Sequence, residues 1–339
     1  MNIHKCLLLS VVFGAASALS ADTLLLDDSF TSGTTGYIGR SGAGNQGTPG
    51  IQNPPSSAVW FGNNSTFAPP ASPGISPIQY IQGSGITIPN AGNTGQSVTA
   101  FFESPGSYQT LGVGDKLTMS INFTLGSTSI TPTGIRFQLF NSASTGTFNN
   151  QLTVNTGNSR TLPNAQNTNT LLYSGYFVGF AAGTPGSGGI DTIYNRQSGD
   201  TANLIVSAPA SGALGTAIGP SPGLGTTDTY QAKLTLLYTG SAMNAGFSLF
   251  DVTTPATDLS AYTLNVTDTG TSPRALVTSF DGLTIGEISN ENTPMTISNV
   301  TVSTTTIPEP SAYAAILGLA ALGFAGIRSR RQRQLEQLK

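Results

Sequence analysis

Cysteine and histidine are nearly missing from this chain: its 339 residues hold one of each, Cys6 and His4. Both lie in the first six residues, inside a segment that reads as a removable leader. Without that leader no Cys or His remains, which excludes disulfides, thiol nucleophiles, Ser-His-Asp triads and His/Cys zinc sites together. Charge is scarce as well, at 9% of residues. From Asp22 to Thr306 there are 7 Lys and Arg against 14 Asp and Glu. A net acidic body lacks the clustered Lys and Arg that neutralise phosphates, so nucleic acid is not expected as a partner. Tryptophan occurs once, as Trp60, and no fixed-period internal repeat is visible. No cofactor is expected.

What the chain does contain is glycine, with 41 residues, and many Thr, Ser and Asn. All four are poor helix formers. The 38% of hydrophobic residues fall in patterned runs rather than being diluted, which argues against disorder. Strict alternation appears in Lys116–Leu125, where Leu117, Met119, Ile121, Phe123 and Leu125 share one face. Ile135, Phe137 and Leu139 alternate with Arg136 and Gln138. Ala232, Leu234, Leu236 and Tyr238 alternate with Lys233, Thr235 and Leu237, and Phe247 and Leu249 open another such run. Met295 and Ile297 are out of phase with Val300 and Val302, which predicts a β-bulge near Ser298–Asn299. Further strands are expected at Thr23–Asp27, Val59–Phe61, Val98–Phe102, Gly175–Phe180, Leu204–Ser207, Tyr262–Val266 and Phe280–Ile285. Long Gly/Pro/Ser-rich loops are expected at Thr31–Pro55, Thr66–Ser76 and Ala208–Thr227. About a dozen strands joined by turn residues indicate an all-β, large antiparallel sandwich or barrel.

The two ends differ from this body. Residues 1–20 carry a positive Lys5, an apolar core from Cys6 to Ala16 and small residues at Ala18 and Ser20, the pattern of a signal peptide cleaved after Ser20, with Ala16-Ser17-Ala18 as a second option. The body then runs over 21–300, with Thr301–Thr306 as a short Thr-rich linker. Residues 307–339 hold Pro308, Glu309 and Pro310, then the uncharged, almost wholly apolar run Ala312–Ile327 with Tyr313 near its start, then Arg328, Arg330, Arg331 and Arg333. Prolines bar helix before the run, and the basic cluster marks the cytoplasmic side of a single transmembrane helix at 312–327.

This C-terminal segment resembles the PEP-CTERM sorting domain in the order and spacing of Pro308-Glu309-Pro310, the hydrophobic run and the basic cluster. The resemblance implies an exported protein of a Gram-negative, exopolysaccharide-making bacterium. Signal peptidase would process it at the N-terminus and an exosortase, a membrane transpeptidase, near Pro-Glu-Pro. It would then pass from an inner-membrane-anchored precursor to the cell surface or extracellular matrix. The opening Leu24-Leu25-Leu26-Asp27-Asp28-Ser29-Phe30 and the closing Met295–Ser303 look like the first and last strands of concanavalin A-like (LamG-like) jelly-roll sandwiches, in which the terminal strands lie adjacent in one sheet. Arg136-Phe137-Gln138-Leu139-Phe140-Asn141 and Gly175-Tyr176-Phe177-Val178-Gly179-Phe180 are similar to bodies found upstream of this tail.

Function is expected to be non-catalytic: a surface or matrix protein that binds polysaccharide or plays a structural part. Trp60 and Tyr80 are the aromatics that could stack on a sugar, or fill the core instead. A glycosidase is the alternative. Gly286-Glu287-Ile288-Ser289-Asn290-Glu291 looks like the catalytic strand of laminarinase-type enzymes, in which two carboxyls about 5 Å apart serve as nucleophile and acid. The match lacks the central Asp, which is Ser289 here, and the stretch reads as a turn. A self-associating adhesin is a further alternative. Asp27, Asp28, Asp191, Asp200 and Asp281 are oxygen donors that could hold calcium, although Asp is also a common turn residue.

Overall fold

The computed structural model describes residues 21–31, 36–38, 60–62, 78–89, 96–103, 107–126, 134–142, 173–181, 189–197, 212–218, 223–271, 274–287, 294–306 and scattered positions between 318 and 337. Among these residues the body is β-structure with one short 3-10 turn at Ser260–Tyr262. Two large sheets face each other across a single apolar core.

The first sheet is built around β8 (Lys116–Leu125), β13 (Thr229–Tyr238), β14 (Met243–Asp251) and β15 (Leu264–Asp268) on one side, and β18 (Met295–Thr306), β5 (Gly85–Ile88), β4 (Gln79–Ile81) and β2 (Gly36–Tyr37) on the other. Strand β1 (Ala21–Asp28) also pairs with β18. The second sheet runs β12 (Ala213–Ile218), β11 (Gly189–Arg196), β10 (Ser174–Ala181), β9 (Ile135–Asn141), β17 (Gly282–Glu287), β6 (Gln96–Phe101) and β3 (Phe61–Gly62). A two-stranded pair, β7 (Gln109–Thr110) with β16 (Ser279–Phe280), completes the set.

The alternating strands form where expected, because period-2 hydrophobicity can be buried only from one face of a pleated strand. In β8, Leu117, Met119, Ile121, Phe123 and Leu125 are buried while the residues between them are half-exposed. Strand β18 carries the expected bulge: its register against β8 shifts between Ile297 and Asn299. The extra residue resets the phase, so Met295 and Ile297 before it and Val300 and Val302 after it all reach the core. A second shift, between Leu24 and Leu26, lets the consecutive Leu25 and Leu26 of β1 both be buried.

Strands β1 and β18 are antiparallel neighbours, from Ala21 opposite Thr306 to Asp28 opposite Val300. This corrects one boundary. Thr301–Thr306 is not a linker but the second half of β18, paired with β1 on one side and, through Thr305, with β8 on the other. The Ala208–Thr227 loop likewise contains β12, which pairs with β11. Strand β11 itself was not expected: its Gly189–Arg196 stretch has no clean alternation. The expected strand at Leu204–Ser207, and most of the other two long loops, lie outside the described residues.

Candidate functional site

Sheet registers place three rungs side by side on the face of the second sheet turned away from the core. One rung is Phe101, Gly282, Phe140, Gly175 and Arg196. The next is Thr99, Thr284, Gln138, Phe177 and Tyr194, and the third is Ser97, Gly286, Arg136, Gly179 and Thr192. This face is not part of the core cluster, yet Thr99, Arg136, Gln138, Phe140, Phe177, Thr284 and Arg196 are all buried.

Close packing explains the glycines. A Cβ on Gly282 would lie 2.4 Å from the Phe140 ring, and one on Gly175 would lie 2.2 Å from the Leu139 carbonyl oxygen. Bare backbone there lets the large side chains lie along the sheet. Phe177 stacks on Tyr194 with centroids 4.5 Å apart, Phe140 stacks on Tyr173 at 4.9 Å, and Phe101 meets Phe140 edge-on at 5.6 Å. The Arg136 guanidinium sits 5.7 Å from the centre of the Phe177 ring. Thr99 and Thr284 share a hydroxyl–hydroxyl bond of 2.9 Å.

Gln138, at the centre of the middle rung, is 0% exposed. Among the described residues neither its amide nitrogen nor its amide oxygen has a hydrogen-bond partner. The sequence marks Gln138 only as the outward residue of a half-buried strand. The signal that both faces are covered is the aromatic content of the outward register: Phe140, Phe177 and Tyr194.

Trp60 and Tyr80 are not sugar platforms. They are 1% and 0% exposed. The Trp60 Nε1–H donates to Asp28 Oδ2 at 2.6 Å, and the Tyr80 hydroxyl donates to the Phe30 carbonyl at 3.0 Å. Phe30 takes a left-handed backbone (φ 56°), held by its own N–H donating to Asp28 Oδ1 and by ring contacts to Trp60 and Tyr80 at 5.7 and 6.2 Å. A lone indole beside Val59 and Phe61 was equally compatible with either face, and the buried carboxylate decides it.

The acidic residues considered for calcium divide in the same way. Asp28 serves Trp60 and Phe30. Asp281 accepts from the Ser142 N–H at 2.9 Å and from the Ser142 hydroxyl. Asp27 is half-exposed, while the Asp191 side chain and Asp200 lie outside the described residues. Among the described residues no group of three His, Cys, Asp or Glu comes together. Sequence reasoning also missed Asp268, which accepts from the Tyr176 hydroxyl at 2.8 Å, the Gly270 N–H at 2.9 Å and the Asn195 amide, and so ties β15 to β10 and β11. The Glu287 backbone ends β17, opposite Ile135 and Gln96. Its side chain and Glu291 lie outside the described residues.

Burial raises the Asp28 carboxyl above its ordinary value of 3.8, outweighing the bonds from Trp60 and Phe30, and nearby Asp27 adds to the rise. The folded state then holds this proton more tightly than the unfolded chain. Its contribution to stability is complete below pH 3.8 and fades as pH rises through the folded value. Urea unfolding of the wild type and Asp28→Asn at pH 4 and pH 7 tests this. The wild type should lose stability relative to the variant on going to pH 7, and parallel changes in the two proteins would show that Asp28 titrates as in the unfolded chain.

At the other end, the described positions between 318 and 334 are helical and exposed, including Leu322, Ile327, Arg328, Arg330 and Arg333. Pro308, Glu309, Pro310 and Arg331 lie outside the described residues, and among the described ones no helix is long and apolar enough to cross a membrane. The segment's identity rests on its sequence. Residues 306–333 match the PEP-CTERM protein-sorting motif. The chain thus carries the sorting motif of exosortase-processed surface proteins, which are made as exported, membrane-associated precursors.

No curated protein matches the chain. Among solved structures, the CBM2 module of the evolved Dit protein of Lactobacillus casei BL23 phage J-1 is 12% identical, with 86% of this chain and 99% of that one covered at a TM-score of 0.43. Lectin I from Ulex europaeus, in complex with the methyl glycoside of α-L-fucose, is 10% identical with 84% and 98% covered at 0.36. Peanut lectin is 9% identical with 75% and 100% covered at 0.38. The assignment to a jelly-roll-like sandwich stands on the sheet order and the β1–β18 pairing, not on these scores.

Proposed function

We propose that this chain is a non-catalytic cell-surface or matrix protein of a Gram-negative bacterium. On this reading a signal peptide exports it, a helix at 312–327 holds it in the inner membrane, an exosortase acts near Pro308-Glu309-Pro310, and the body binds polysaccharide outside. The PEP-CTERM motif carries the reading. Support for the membrane step comes from Leu322 and Ile327, which are 71% and 60% exposed on a helix with no covering partner among the described residues. Apolar side chains in that position suit lipid better than water. Support for polysaccharide comes from a chain poor in charge, at 9% of residues, and rich in the hydroxyls and amides of Thr, Ser and Asn. Neutral groups of this kind suit a neutral polyhydroxyl chain better than a polyanion or a peptide rich in charge.

The purified full chain, incubated with soluble exopolysaccharides, should retain at least one of them in affinity electrophoresis and release no reducing ends from it. Turnover would replace this reading with a glycosidase, and absence of binding combined with self-association would replace it with an adhesin.

A further inference from the structure

We propose that the outer face of the first sheet, around Phe250, is where the body takes a neutral polysaccharide chain. This inference rests on the reading of the body as a polysaccharide binder and gives that reading an address. The opposite broad face is closed, because Gln138, Phe140, Phe177 and Thr284 of the second sheet are 0% exposed. On the first sheet the outward residues of β8 and β13 are half-exposed or exposed along the whole of each strand. Phe250 of β14 is 48% exposed, and among the described side chains it is the only exposed Phe, Tyr or Trp. Its setting singles it out. Register places Phe250 opposite Gln231 of β13, Gln231 opposite Asn122 of β8, and Asn122 opposite Asn299 of β18. One ring and three amides therefore form a row across four strands, at about 4.8 Å per strand. The flanking rows carry hydroxyls, Thr124 with Thr229 on one side and Ser120 with Ser248 on the other.

The chemistry of the occupant follows from this row. The Gln231 Nε2–H donates to Asn122 Oδ1 at 3.1 Å, which fixes both amides. The Gln231 carbonyl oxygen and the Asn122 amide nitrogen have no other partner among the described residues. An acceptor and a donor on adjacent strands suit a vicinal diol: one hydroxyl donates to the carbonyl and its neighbour accepts from the N–H. Pyranose rings carry such diols, together with apolar C–H faces that pack on aromatic rings. Directly opposed residues of an antiparallel pair have Cβ atoms about 4.5–5.5 Å apart, so a pyranose lying on Phe250 brings its hydroxyls to Gln231. The Lys233 ammonium, 5.8 Å from the ring centre, braces Phe250. Charge favours a neutral polymer. Strands β8 and β13 contain no Asp or Glu, whereas the body as a whole is net acidic and disfavours a polyanion.

The test uses the full chain in detergent, with a soluble β-glucan, a galactomannan and alginate as probes in affinity electrophoresis. Phe250→Ala should bind the neutral polymers about tenfold more weakly, with an unchanged melting temperature because the ring is at the surface. Phe250→Tyr keeps the ring and should bind as the wild type does. Gln231→Leu keeps the bulk, loses the amide and should also weaken binding. Val113→Ser removes a side chain that is 61% exposed in the turn before β8, and should change nothing. Wild-type affinity in both Phe250→Ala and Gln231→Leu, or an equal loss in Val113→Ser, overturns the site and leaves the polysaccharide reading standing. Retention by alginate alone overturns the neutral ligand and again spares the broader reading. A wild type retained by none of the three overturns both. A dimer in sedimentation that Phe250→Ala dissolves would overturn the site by giving this face to a second copy of the chain, with Val252, 49% exposed, beside the ring.

Discussion

A chain ending at Thr306 is released from the inner membrane as a soluble product, whereas the intact chain is held in that membrane before it reaches the surface. The expected difference is close to all-or-none, because the segment read as the membrane anchor lies beyond that residue. Ala312–Ile327 as a helix would cover about 24 Å of a hydrocarbon core of about 30 Å. Arg328, Arg330, Arg331 and Arg333 then bar it from sliding outward. The cut does not injure the body. Strand β18 ends at Thr306, so its pairing with β1 and β8 survives entire. The truncated protein should accumulate as a soluble form outside the inner membrane with an unchanged melting temperature. Replacing Pro308, Glu309 and Pro310 by Ala should leave the full-length precursor in the inner membrane. Fractionation followed by intact-mass measurement reads all three forms. Truncated and intact chains found in the same place with the same mass would end the assignment.

Trp60→Ala should destabilise the body by about 3–5 kcal/mol, the usual loss for a large buried aromatic. The substitution removes a ring packed on Phe30 and takes the indole donor from Asp28, leaving a buried carboxylate with one partner fewer. Trp60→Phe separates the two contributions. It keeps most of the apolar contact and removes only the N–H, so its loss should be nearer 1–3 kcal/mol, the penalty for an unmatched buried polar group. Asp28→Asn, studied with Trp60→Phe as a double-mutant cycle, should show coupling, since the two residues touch. Chemical denaturation measures all of these. A Trp60→Ala protein of wild-type stability would mean that the indole is a surface group after all, and the sugar-stacking role would return.

Much of the fold was legible because burial and strand pleat share one period. Strands β8, β13 and β18 needed only that rule, and the β18 bulge followed from a phase break at Ser298–Asn299. The adjacency of the first and last strands was also expected. Two classes of feature were hidden. Strand β12 sits in an Ala-, Gly- and Thr-rich stretch and β11 has no clean alternation, so backbone pairing rather than side-chain pattern makes both strands. The candidate site was hidden for the opposite reason. Arg136 and Gln138 look like solvent-facing residues of a half-buried strand, and alternation alone cannot show that the outward face is covered too. Trp60 and Tyr80 drew attention as rare or exposed-seeming rings. Their partners, Asp28 and the Phe30 carbonyl, lie 32 and 50 residues away in sequence. No local pattern reports a bond across such a separation.

The pairing of Ala21 with Thr306 fixes how force enters this protein. Any tether on the tail pulls along β18, and the hydrogen bonds that hold β18 to β1 and β8 run perpendicular to that direction. The load is therefore shared along both flanks of the strand at once instead of opening them one bond after another. The exit strand works as a shear joint, strongest along the line on which flow at a cell surface would drag the body from its anchor.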